Sequence, residues 1–329
     1  MQVIKKILTL IFRFGISIIL IFFLFEKVDK KSLFELIKNA DKGLLFLAFF
    51  VFFSGYYFCL LRWQMLLKAV NIHLPLKRII ISFSGGVFFS LFLPSTIGGD
   101  LMRSIDLSKH TKRPGEVIAT VFLDRLSGYI GLVILAFVAL ILGWRFVEDV
   151  SVLSSMAIIT VVLFALLILF FNKALFAKIS KLLHTPDSGK IRELIKNMHK
   201  EIHYFRHNKK IILKNLSLSV LIQVTSPLTF YITALSLGVK IKLIYFLIYL
   251  PIISAITLLP ISIGGLGLRD ASTIYFFAKA GVSRDLAFAM SLLNFSFILI
   301  CGLMGGIIYV LTVRHRRLQY HKPSAISSL

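Results

Sequence analysis

The chain is short of acid and of cysteine. Only 15 of its 329 residues are Asp or Glu, against 38 Lys or Arg, leaving a net charge of +23. The two cysteines, Cys59 and Cys301, both sit in apolar runs. That number and placement exclude a disulfide framework and a cysteine-based metal centre, and they mark both residues as buried thiols. No HExxH, GxSxG, Walker A or Rossmann glycine pattern occurs, and no acidic pair has the spacing of metal-dependent glycosyl transfer. No complete catalytic set is therefore present. The chain is not expected to be an enzyme or to need a cofactor or metal.

What it has in abundance is grease. Hydrophobic residues make up 57% of the chain, and the mean hydropathy is +0.88. Long apolar runs occupy 7–25, 44–61, 126–143, 152–171, 216–238 and 286–312, the lengths of membrane-spanning helices. The first run lacks a small-residue cleavage site and reads as a retained helix rather than a signal peptide. The basic residues cluster at the ends of these runs, which points to anionic headgroups and topology signals and away from nucleic acid.

Charge then sets a topology. Lys5, Lys6 and Arg13 hold the N-terminus in the cytoplasm. Residues 26–42, with five lysines balanced by Glu26, Asp29, Glu35 and Asp41, form the first outer loop. Arg62, Lys68, Lys77 and Arg78 read as cytoplasmic. The next apolar segment, 79–93, reaches only about 22 Å as a helix, short of a hydrocarbon core of about 30 Å. It breaks at LPSTIGGDLMR (93–103) and is followed by the basic SKHTKRPGE. A chain that leaves the cytoplasm at 78 and is back by 109 has made a re-entrant hairpin.

A near-copy of the break, LPISIGGLGLR, occupies 259–269, with Leu, Pro, Ile, Gly, Gly and Arg at identical spacing. The fold expected is an all-α polytopic membrane protein built as an inverted repeat. About six full transmembrane helices are joined by two opposed re-entrant helical hairpins. The first repeat, 1–150, has two spans, a hairpin at 79–108 and one span. The second, 151–313, has two spans, a hairpin at 243–280 and one span. It also carries a basic cytoplasmic amphipathic segment at 172–214, and a cytoplasmic tail follows at 314–329. RHRR (314–317) acts as the cytoplasmic stop, so the chain is expected in the cytoplasmic membrane with both termini on the cytoplasmic side.

Backbone broken inside a bilayer must pack in protein or line a wet cavity, because lipid satisfies no freed N–H or C=O. The helices resuming near Gly99 and Gly265 would offer open N–H groups and a positive dipole end. Arg103 and Arg269 would add guanidinium groups suited to phosphate. The site read from the first tip comprises Pro94, Ser95, Thr96, Gly98, Gly99, Asp100 and Arg103. From the second it comprises Pro260, Ser262, Gly264, Gly265 and Arg269. Asp124 and Arg125, about two turns into a span, join them as intramembrane charges. They are available to pair with Asp100, Arg103 or each other, in a structural clamp or in a substrate or proton path. Adjacent on a helix, they do not face one partner. Asp106 and Asp270 read as capping or salt-bridge residues nearer the water.

In 172–214, eleven Lys or Arg stand against three acids, and Ile191, Leu194, Ile195, Met198, Ile202 and Phe205 recur at helical spacing. His199, His203 and His207 share one face there, but no carboxylate or cysteine completes a metal set. They read as part of a solvated basic face.

LPSTIGGDLMR, the basic turn after it, VFLDRLSGYIG and LPISIGGLGLRDA together resemble the lysylphosphatidylglycerol synthase transmembrane family, the flippase part of aminoacyl-phosphatidylglycerol synthase/flippase proteins. The resemblance spans nearly the whole chain and implies lipid translocation. The lipids implied are cationic aminoacyl-phospholipids for two-domain members, and hopanoid or polyprenyl-linked lipids for stand-alone ones. These 329 residues contain no soluble aminoacyl-transfer domain, so synthesis is not expected of them. The expected function is a flippase for a phosphate-bearing lipid, ion-coupled or downhill. The partners expected are anionic or aminoacylated phospholipid, or polyprenyl-phosphate lipid. A separate lipid synthase and a second copy of the chain are further candidates. Two other readings stay open: an integral membrane enzyme with Asp100 or Asp124 as base, and a scaffold that docks a synthase through 172–214.

Overall fold

The computed structural model describes residues 29–93, 96–143, 209–258 and 265–320, with a few isolated positions besides. The helices are α1 (Lys30–Lys38), α2 (Lys42–Ala69), α3 (Leu76–Phe92), α4 (Thr96–Thr111), α5 (Pro114–Gly143), α6 (Lys209–Ser236), α7 (Leu243–Thr257), α8 (Leu268–Lys279) and α9 (Arg284–Tyr320). No strand occurs among the described residues, and the fold is that of an all-α polytopic membrane protein. The spans expected at 7–25 and 152–171 and the amphipathic segment up to 208, with its three histidines, lie largely outside the described residues, whereas 209–214 form the start of α6.

Among the described residues, four helices are long and apolar enough to cross a membrane: Lys42–Ala69, Pro114–Gly143, Lys210–Ser236 and Arg284–Thr312. The segments at the two breaks are different. With 17 residues in α3 and 15 in α7, each rises only about 22–26 Å, and each is followed by a partner helix running back beside it. Arg78 and Ser82 of α3 meet Asp106 of α4, and Gly86 meets Gly99. These contacts fix the two helices as antiparallel. In the second pair, Phe246 and Tyr249 of α7 stack with Phe276 and Phe277 of α8.

The halves interlock by exchange. The first hairpin packs its α3 on α9, the last helix of the second half, and the second packs its α7 on α5, the last helix of the first. At the centre α2 lies along α6. Lipid tails are as apolar as leucine, so membrane helices associate through close backbone approach rather than through the hydrophobic effect. Glycines provide that approach here. Gly55 meets Thr225 between α2 and α6, Gly131 meets the Ser219 backbone between α5 and α6, and Gly305 meets the Ser84 carbonyl between α9 and α3.

Several expectations change in detail. The segment 26–42, expected as a loop, contains α1, whose N-cap Asp29 accepts from Lys31 N–H through its side chain; Asp41 caps α2 by accepting from Gly43 and Leu44 N–H. These acids are helix caps as well as charge balance. At the other end, α9 continues through RHRR to Tyr320. Arg, Leu and Gln are good helix formers, so the tail begins later than 314. Cys301 is buried, but Cys59 is only half-buried and borders the cavity described below.

Candidate functional site

The two breaks share a motif but not a conformation. In the first, helix α4 resumes at Thr96, so Gly98 and Gly99 are inside the helix and not at its open end. A Cβ on Gly99 would collide with the Gly86 carbonyl, and one on Gly98 with the Leu93 side chain. Their role is close packing of α4 on α3. In the second, Gly267 stands where the first has Leu101, and it takes φ +78° as N-cap of α8. Gly265 also has positive φ, +77°, a conformation that glycine adopts without steric cost. The extra glycine delays the helix to Leu268. Neither Gly99 nor Gly265 begins a helix, which corrects the expected starts.

The second tip is closed electrostatically by its own residues. Asp270 accepts from Gly267 N–H at 3.0 Å and pairs with Arg269 at 2.7 Å. Arg269 also donates to Ser291 of α9 and lies 5.0 Å from the Phe295 ring centre. Asp270 is buried, not near water as expected. With its first N–H capped by a carboxylate, this helix start is not the open anion site that the motif suggested. Ser262 is buried with its hydroxyl unpartnered among the described residues. Pro94, Ser95, Pro260 and Gly264 lie outside the described residues, as does the Thr96 side chain.

The first tip is charged and shared among helices. Asp124 of α5 accepts from Arg62 Nε of α2 at 2.7 Å and from Arg103 Nη2 of α4 at 2.8 Å. Arg103 also pairs with Asp100 at 2.9 Å, through the i,i+3 spacing of α4. The other oxygen of Asp100 takes Arg125 Nε of α5. Arg62 donates in addition to Ser219 of α6 at 2.9 Å. Asp124 and Arg125 thus face different partners, as their adjacency on a helix requires. The guanidinium of Arg103 lies 4.8 Å from the Trp63 ring centre and 5.8 Å from that of Phe83, within the range of cation–π attraction.

Arg62, Phe83, Asp100, Arg103, Asp124 and Arg125 line a cavity of about 360 Å³ among α2 to α7. Its wall includes Tyr56, Gln223 and Ser254. Arg62 and Arg103 lie on its buried floor, with 6% and 5% of their side chains exposed, while Arg125 at 36% stands toward the mouth. Arg269 does not line it. The two motif arginines, expected to share one site, serve different ones: Arg103 the cavity, Arg269 the α8–α9 contact.

Two residues were missed by sequence. Arg62 read as a cytoplasmic flank because it lies seven residues before the end of α2, yet it is 5% exposed and bound to Asp124. Gln223 donates to the Gly128 carbonyl at 2.8 Å. A legible signal existed: Asn215, Ser219 and Gln223 make a polar line at i, i+4, i+8 along the span. Asp106 does form the expected salt bridge, with Arg78 at 2.9 Å.

Comparison with known proteins places the chain. A family model described as the lysylphosphatidylglycerol synthase TM region matches residues 10–306, and the chain belongs to that family. It is 25% identical to a UPF0104 membrane protein of Pyrococcus horikoshii, over 95% of this chain and 98% of that one. It is 23% identical to a UPF0104 membrane protein of Methanothermobacter thermautotrophicus, over 79% and 82%. No solved structure matches the chain significantly. The protein is a multi-pass membrane protein of this family, a membership consistent with a lipid-related membrane function.

Proposed function

We propose that the protein is a flippase, not an enzyme, that carries a phosphate-bearing lipid across the cytoplasmic membrane with both termini inside. The headgroup enters the cavity beside the first hairpin while the acyl or prenyl chains stay in the bilayer. Family membership supports a lipid substrate. The observation that carries the site is the unsatisfied donor on the cavity floor: Arg103 is 4% exposed, and its Nη1 has no hydrogen-bond partner among the described residues. A buried charged donor without an acceptor is costly, and a phosphate oxygen is its natural complement. Intramembrane ionisable groups kept at such cost mark substrate paths. The second hairpin, held by its internal Arg269–Asp270 pair, serves as the scaffold against which the first moves.

The test is reconstitution into liposomes containing headgroup-labelled lipid, with translocation followed by loss of label to a membrane-impermeant quencher. Wild type should move lipid faster than empty liposomes, Arg103→Ala should not, and Arg269→Ala should retain transport if it remains folded. Equal rates for wild type and a folded Arg103→Ala variant remove the site assignment.

A further inference from the structure

We infer that the cavity selects a headgroup of single negative charge, a phosphodiester with no ammonium of its own, and rejects cationic headgroups. This rests on the transport reading above and names its substrate class. The reasoning is a count of charges and of open valences. Among the described lining residues, Arg62, Arg103 and Arg125 face Asp100 and Asp124, three cations against two anions. Each of the four carboxylate oxygens already accepts from a guanidinium: Asp124 from Arg62 and Arg103, Asp100 from Arg103 and Arg125. An incoming ammonium would have to share a carboxylate oxygen with a guanidinium and would bring a fourth cation to two anions. An incoming anion competes with no cation: it offsets the excess positive charge and supplies an acceptor for the buried, unpartnered Nη1 of Arg103 once that guanidinium turns toward it. The low dielectric of the interior magnifies both effects. The wall adds neutral groups, Tyr56, Gln223 and Ser254, suited to hydroxyls and not to a second charge.

The protein carries its own reporter. Trp63 is fully buried against Arg103, and the chain has only two tryptophans, so Trp144→Phe leaves Trp63 as the single emitter. The full chain with this change is placed in phosphatidylcholine nanodiscs, whose headgroup is zwitterionic. Phosphatidylglycerol, lysyl-phosphatidylglycerol, phosphatidic acid and inorganic phosphate are titrated separately. Phosphatidylglycerol should change Trp63 emission saturably, and lysyl-phosphatidylglycerol should bind at least about tenfold more weakly, roughly 1.4 kcal/mol. Arg103→Gln should abolish the response.

A gain-of-function variant guards against misfolding. Asp100→Asn raises the cationic excess by one, so preference should shift about tenfold toward phosphatidic acid, whose monoester carries a second charge near neutral pH. Equal or tighter binding of lysyl-phosphatidylglycerol would overturn the charge rule, as would an Asp100→Asn variant that weakens binding of both anionic lipids. Inorganic phosphate binding as well as phosphatidylglycerol would assign the site to a soluble anion and overturn the headgroup claim. The two readings fail separately. If cationic and anionic lipids are bound and carried equally, the charge rule falls and transport stands. If phosphatidylglycerol is bound selectively but never carried, the charge rule stands and transport falls.

Discussion

Asp124→Asn is the sharpest perturbation of the buried network. Asp124 is 4% exposed and joins three helices, because its two oxygens take donors from α2 and α4 while it sits on α5. Asparagine conserves the volume, so no cavity term enters. It removes the charge and turns one acceptor into an N–H₂ group that faces a guanidinium. Breaking a buried pair by removing one partner costs about 3–5 kcal/mol. Here two guanidinium groups lose their counter-charge together, which puts the expected loss near the upper half of that range, about 4 kcal/mol. The assay is reversible unfolding in neutral mixed micelles titrated with SDS. The double variant Arg62→Met/Asp124→Asn should recover about 1–3 kcal/mol of the loss, since it removes one of the stranded cations. Asp124→Asn within about 0.5 kcal/mol of wild type, the level of an unremarkable surface change, would refute the claim that this network is buried and interdependent.

Other outcomes follow from the same contacts. Gly99→Ala places a methyl against the Gly86 carbonyl and should cost about 1–3 kcal/mol in the same unfolding assay, with lipid flux lowered. Asp270→Asn weakens both the α8 N-cap and the pair to Arg269, and should destabilise by about 1–2 kcal/mol without changing lipid selectivity in the Trp63 assay. Gly305→Leu drives a side chain into the α3 backbone at Ser84, and should lower flux and stability together. Gln223→Leu removes the side-chain hydrogen bond that ties α6 to the Gly128 carbonyl of α5 and should lower headgroup affinity while leaving the ion pairs intact, read out by the same fluorescence titration.

Much of this architecture was legible because membrane physics is strict. Apolar length separated the spanning helices α2, α5, α6 and α9 from the short α3 and α7. The duplicated LPxxIGG segment marked where helices break. Charge at span ends was less informative at Arg62, where the rule that assigns arginine to a cytoplasmic flank competed with burial against a carboxylate 62 residues away in sequence. Such pairing is tertiary and has no local signal. The symmetry of the motif also misled. Leu101 against Gly267, and Asp100 against Leu266, are single differences inside a strong repeat. The glycine moves the α8 start to Leu268, and the missing carboxylate leaves Arg269 to pair with its own neighbour. The repeated motif therefore gives two hairpins, but only the first carries a shared charge network.

The most direct test is a structure determined in nanodiscs rich in phosphatidylglycerol. The account predicts headgroup density within about 3 Å of Arg103 Nη1, in the cavity between α4, α5 and α7, with Asp100 and Asp124 still paired to their arginines. Headgroup density held instead by Arg269 at the second hairpin, with the first cavity empty, would contradict it.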